Sequence, residues 1–120
     1  MEQDLVCVRN RESLYYYIKG TNIKHRLDGP AVIHKDGNTE WFNYGKRHRV
    51  GGPAVDQSSS KYWFNDGKYH RDDGPAVIYS DGSIRWYLNG TLYYSKEEWF
   101  EALTEEQKVK ALYSEYFIKG

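Results

Sequence analysis

Cysteine is almost absent from this chain: Cys7 stands alone among 120 residues. That excludes an intramolecular disulfide, and a reducing, cytoplasmic setting is the expectation. No apolar run reaches the roughly 18 residues that a bilayer span requires, and Met1 to Glu12 lacks the apolar stretch of a secretory signal. Net charge is lacking too, since 17 basic residues balance 17 acidic ones. No overall field therefore draws the chain toward nucleic acid or an anionic membrane. Leu and Val are sparse. Aromatic residues take their place, at 17% of the chain with 12 Tyr and 4 Trp, and each ring can bury about 150–250 Å². A core made largely of rings is expected.

Self-similarity comes next. Three segments align: His25-Arg26-Leu27-Asp28-Gly29-Pro30-Ala31-Val32, His48-Arg49-Val50-Gly51-Gly52-Pro53-Ala54-Val55 and His70-Arg71-Asp72-Asp73-Gly74-Pro75-Ala76-Val77, with the histidines 23 and then 22 residues apart. Between them recurs an aromatic stretch: Trp41-Phe42-Asn43-Tyr44-Gly45-Lys46, Trp63-Phe64-Asn65-Asp66-Gly67-Lys68 and Trp86-Tyr87-Leu88-Asn89-Gly90-Thr91. A worn copy, Tyr16-Tyr17-Ile18-Lys19-Gly20-Thr21, stands upstream and brings Leu5-Val6-Cys7-Val8 into register with the Pro-Ala-Val segments. Each unit reads as a hairpin. A short strand meets a tip such as Asp36-Gly37 or Asp81-Gly82, an aromatic strand returns, and Gly-Lys turns the chain into the next unit. Pro30, Pro53 and Pro75 fall at strand starts, where the missing N–H is tolerated.

In this register Tyr16, Trp41, Trp63 and Trp86 form one column, and Tyr17, Phe42, Phe64 and Tyr87 the next. Adjacent strand residues face opposite ways, so each face carries an aromatic ladder. One is expected to be the core, the other covered by the C-terminal segment, by curvature or by a partner. After residue 94 the pattern changes. Ser95 with Glu98 and Thr104 with Gln107 read as capping boxes. Val109, Leu112, Tyr113, Tyr116 and Phe117 then trace one apolar helix face. The expected fold is mostly β with C-terminal helices: about four antiparallel β-hairpins, some eight short strands, over residues 1–94, with two short α-helices in 95–120 as a cap.

At these motifs the sequence resembles the MORN-type repeat families, especially a His-Arg-x-Asp-Gly-Pro-Ala variant found in small phage and bacterial proteins. The resemblance covers roughly residues 14–94. It implies a protein-contact module, and for a phage protein an effector that acts on a host process in the host cytoplasm.

The candidate chemistry is limited. His25, His48 and His70 form a column, but equivalent side chains on successive hairpins sit about 10 Å apart, too far for one metal whose ligand nitrogens lie about 2 Å away. No metal site and no cofactor is expected. In the repeated turn, Asp28 and Asp73 are expected to accept from turn amides, and Arg26, Arg49 and Arg71 to lie over neighbouring rings. Residues 19–50 hold seven basic side chains against Asp28, Asp36 and Glu40. The densest patch joins Lys46-Arg47-His48-Arg49 to Lys24-His25-Arg26, with Gly51 where the other repeats have aspartate. It is either a solvated face or, with His70 and Arg71, a ligand-binding edge. No nucleophile elbow, phosphate loop or carboxylate pair supports catalysis, and Cys7, on a strand, is expected to be a buried, inert thiol. The residues point to a non-catalytic binding module. Its expected partner is another protein first, a nucleotide or other anion at the Lys46–Arg49 edge second, and nucleic acid third. An oligomer remains open.

Overall fold

A computed structural model describes residues 4–118; the first three and last two positions of the expected spans 1–94 and 95–120, and the Ile118 side chain, lie outside it. Among the described residues there are thirteen strands and three helices. The β-repeat array with a helical cap is present as read. The strand count is higher than the eight expected, because the return strands break at two tryptophans and the Gly45, Gly67 and Gly90 turns each add a short strand after them.

The chain opens with β1 (Leu5–Arg9) and β2 (Ser13–Ile18). Each later unit has a short outgoing strand, namely β3 (Val32–His34), β7 (Val55–Asp56) and β11 (Val77–Ile78). Their return strands are β4 (Thr39–Glu40), β8 (Lys61–Tyr62) and β12 (Ile84–Leu88). At Trp41 and Trp63 the return strand bends. The Trp41 N–H donates forward to Ala54 O while its carbonyl accepts from His48 N, and Trp63 does the same with Ala76 and His70. Beyond the bend run β5 (Phe42–Asn43) with β6 (Lys46–Arg47), and β9 (Phe64–Asn65) with β10 (Lys68–Tyr69), as separate small ladders. The last return strand does not break; β12 pairs with both β11 and β13 (Thr91–Tyr93). The main sheet is antiparallel with nine strands in the order β1-β2-β3-β4-β7-β8-β11-β12-β13.

Neither aromatic ladder is a fully buried core. The most buried row is Ala31, Ala54 and Ala76 with Val32, Val55 and Val77, the small residues of the repeat. Trp41 and Trp63 stay half-buried, and only Trp86 in that column is enclosed. An array this narrow cannot bury rings on both faces, so cationic side chains cover them. On the second face one column runs Lys24, Phe42, Arg47, Phe64, Tyr69, Tyr87, with successive separations of 5.2, 5.4, 5.7, 4.6 and 4.9 Å.

The cap has three helices rather than two: α1 (Lys96–Glu101), α2 (Glu105–Leu112) and α3 (Glu115–Ile118). Thr104 and Gln107 form the reciprocal capping box, and Ser95 accepts from Glu98 N. The expected continuous face ending at Phe117 is broken. Ser114 turns both its N–H and its hydroxyl onto Ala111 O, which ends α2 and shifts the phase of α3. Val109, Leu112 and Tyr113 are exposed, and Ala111 is the buried residue of α2. Trp99, Leu103 and Ala111 join Trp86 and Leu88 in one cluster, with Tyr116 and Phe117 packed against it. At β1 the expectation for Cys7 was wrong: the thiol is exposed, because β1 is the outermost strand of the sheet and no described residue lies over it.

Candidate functional site

The histidine column is a fastening device. His25, His48 and His70 each accept through Nδ1 from the backbone N–H of Tyr44, Asp66 and Asn89, at 2.9, 3.1 and 3.0 Å. Those three residues all have φ of 48°, the left-handed region, and a glycine comes after each. Two successive left-handed residues make the tight hairpin turn that suits strand twist. Each histidine thus anchors the turn of the next repeat. Accepting at Nδ1 requires a ring without a proton there, and burial holds His70 below the ordinary histidine range, against an opposing pull from Asp72.

The arginine column works similarly. Arg26, Arg49 and Arg71 lie 4.3, 4.2 and 3.9 Å from the ring centres of Tyr16, Trp41 and Trp63. Each Nη1 donates to the proline carbonyl four residues on, Pro30, Pro53 or Pro75. A Cβ on Gly29, Gly52 or Gly74 would stand 2.8 Å from the guanidinium carbon, so only glycine lets the plane lie against the chain. Asp28 and Asp73 accept from Arg26 and Arg71 Nε, at 3.3 and 2.7 Å, rather than from turn amides as expected. A two-residue offset places the carboxylate beside the folded-back guanidinium. Among the described residues Arg49 has no such partner, because Gly51 replaces the aspartate.

The basic residues singled out in the sequence are therefore dispersed. His25 is buried. Lys24 and Arg47 belong to the second-face stack, and Arg47 also pairs with Glu40 at 3.0 Å. Burial alone would raise the Glu40 carboxyl, but hydrogen bonds from His34 and Arg47 outweigh it and hold the group below its usual range. Lys46 is exposed. His48, Arg49, His70 and Arg71 do converge, on a cleft of about 450 Å³ between the second and third His-Arg segments. Its floor is Trp63, Phe64 and Asn65, and its rim carries Val50, 87% exposed, together with Asp72. One repeat earlier a smaller cleft of about 220 Å³ joins Arg26, Leu27, Trp41, Asn43, Arg49 and Val50. There the buried Asn43 Oδ1 has no partner among the described residues.

Lys110 also lines the larger cleft, and reading the sequence missed it. It reaches from α2 to Asp72 at 2.9 Å, and that bond raises its pKa. Thirty-eight residues separate the two, and no local pattern announces such a contact.

A second arrangement also escaped the sequence. Ser13 Oγ lies 2.7 Å from His34 Nδ1, and His34 Nε2 lies 3.2 Å from Glu40 Oε2. It has the residue types of a hydrolase triad but not the surroundings. Ser13 is buried, and the Glu12 and Ser13 amides that could face an oxyanion are both bound to Asn10 Oδ1. Ser13 and His34 are cross-strand partners, and they close the end of β2 and β3. Among the described residues no three His, Cys, Asp or Glu side chains are grouped as a metal site, and no helix is long and apolar enough to cross a membrane.

Set against family models, curated proteins and solved structures, the chain finds no match.

Proposed function

We propose that this chain is a non-catalytic, MORN-like interaction module that binds another protein across the cleft between its second and third His-Arg segments. One observation carries the reading: at Arg49 the repeat keeps its arginine but loses the carboxylate, beside an exposed valine. Arg26 and Arg71 are each neutralised within their own turn, whereas among the described residues Arg49 Nε has no carboxylate partner. A cationic donor and half-buried Trp63 in one cleft are residue types enriched at protein-binding hot spots, and exposed Val50 adds apolar surface beside them. A small anion such as a nucleotide is the weaker reading. Asp73 and Asp72 already balance Arg71 and Lys110, at 2.7 and 2.9 Å. The role of a phage-type effector blocking a host factor rests on the sequence resemblance and belongs to the same proposal.

The test is affinity capture from a bacterial lysate, comparing the natural chain with Val50→Asp at the rim and Val109→Asp on the exposed side of α2. The partner should be lost with the first and kept with the second. Retention with Val50→Asp and loss with Val109→Asp would move the interface to the cap and overturn the reading.

A further inference from the structure

The two edges of the nine-stranded sheet are treated differently. The last strands are packed by helix, while all five residues of β1 are exposed. β1 also carries few of the devices that usually protect an edge. It has no proline and no bulge in its pairing with β2, and its one charged side chain, Arg9, stands at its end.

We propose that β1 is a dimerisation edge, pairing antiparallel with β1 of a second copy about a two-fold axis through Cys7. The hydrogen-bond pattern selects the register. Lys19 N donates to Asp4 O and Asn10 N to Ser13 O. Bonded pairs alternate in an antiparallel ladder, so Val6 and Val8 spend their backbone groups on β2, as do the Asp4 carbonyl and the Asn10 N–H. The N–H and C=O of Leu5, Cys7 and Arg9 point to the open side. With Cys7 opposite Cys7 of the second copy, Leu5 meets Arg9, and these pairs form about six inter-chain backbone bonds.

Side chains agree with that register. Val6 falls opposite Val8 of the second copy, and the reverse. The four valines then make one apolar cluster beside Tyr15 and Tyr17, whose rings stack at 6.1 Å. Asp4 comes opposite Asn10, so no charge opposes its like. A shift of two residues one way sets Asp4 against Glu12, and the other way sets Asp4 against Val8. The strand is thus self-complementary in one register, as a two-fold interface requires. The occupant is strand-like because the free groups are a row of backbone donors and acceptors.

Sedimentation equilibrium from micromolar to near-millimolar concentration tests this. The mass should rise from 14.2 kDa toward twice that value, and a short bis-maleimide should join two chains through Cys7. Cys7→Pro deletes an edge-facing donor without touching the β2 ladder, and it should weaken association about tenfold or more. Val6→Lys with Val8→Lys brings four like charges together and should leave a monomer. Thermal melts of both variants establish that they fold, and cross-linking of the natural chain gives a readout that needs no variant. A natural chain that stays monomeric and uncross-linked overturns the proposal, and so does a dimer that persists in both variants. Protection of the β1 amides only on adding an unrelated protein would assign the edge to that protein instead.

Discussion

At one end of this sheet β12 and β13 lie under helices; at the other β1 lies open. Trp99 of α1 is wholly buried, tilts against Trp86 with ring centres 4.8 Å apart, and donates Nε1–H to Arg71 O at 3.1 Å. In the earlier repeats an arginine from the next unit covers that tryptophan column, as Arg71 covers Trp63. After Trp86 the repeat runs out, with Thr91-Leu92-Tyr93-Tyr94 where Lys68-Tyr69-His70-Arg71 stood one repeat before. The cap therefore puts an indole where the array would have put a guanidinium. The difference teaches how a repeat array ends: its last unit exposes the surface that each earlier unit buried with its neighbour, and something unrelated must cover it.

The sharpest way to break the comparison is to remove one residue at each end. Trp99→Ala should cost about 3–5 kcal/mol, as for other enclosed aromatics, and should strip the cap. Val8→Ala on the open strand should cost under about 1 kcal/mol in the monomer, at concentrations too low for β1 to pair with a second copy. Denaturant melts of both variants under those conditions measure this, and equal losses would mean that β1 is covered within the single chain.

A smaller effect separates the arginines. Arg71→Lys loses its bond to Asp73, the donor to Pro75 O and the planar stack, about 2 kcal/mol together. Arg49→Lys has no carboxylate to lose and should cost about half as much.

Acid should act through His70 before it reaches the carboxylates. His70 titrates below the ordinary value of 6.5 in the folded chain. Above 6.5 its contribution to stability is complete. As pH falls below 6.5 the unfolded chain takes up the proton first, and stability is lost until the folded group titrates too. Glu40, held low, has its window below 4.5. A pH series of melts should therefore lose stability beginning near 6.5, and His70→Gln should flatten that first segment.

The smallest expected change is at the cleft rim. Val50→Asp should move the melting free energy by no more than about 0.5 kcal/mol, which is what makes it a clean probe of binding.

Much of this was legible from spacing. A 22–23-residue period, turn pairs at fixed offsets and a change of pattern after residue 94 were enough for hairpins with a helical cap, because each of those signals is local. Arginine over aromatic was also legible, since the two recur in step. The histidines were harder. Their partner is a backbone amide 18 or 19 residues ahead, and a backbone donor leaves no mark on the sequence. The basic edge was misleading for the opposite reason. Lys46, Arg47, His48 and Arg49 are neighbours along the chain, yet the small ladder sends Arg47 toward Phe42 and Glu40 and Arg49 toward Trp41. The helix face failed at one hydroxyl, where Ser114 bonded to Ala111 O and restarted the count.

By itself the sequence determined the repeat, its turns, the column in which each ring and guanidinium would stand, and the point where helix replaces sheet. Those come from periodicity and from residues whose backbone preference is intrinsic. Only the tertiary structure decided which columns are buried, that the strand bends at Trp41 and Trp63, that Lys110 enters the cleft, and that β1 is left bare. Each of these depends on which neighbour lies across from a residue. That neighbour is set by how successive units stack and where the stack stops.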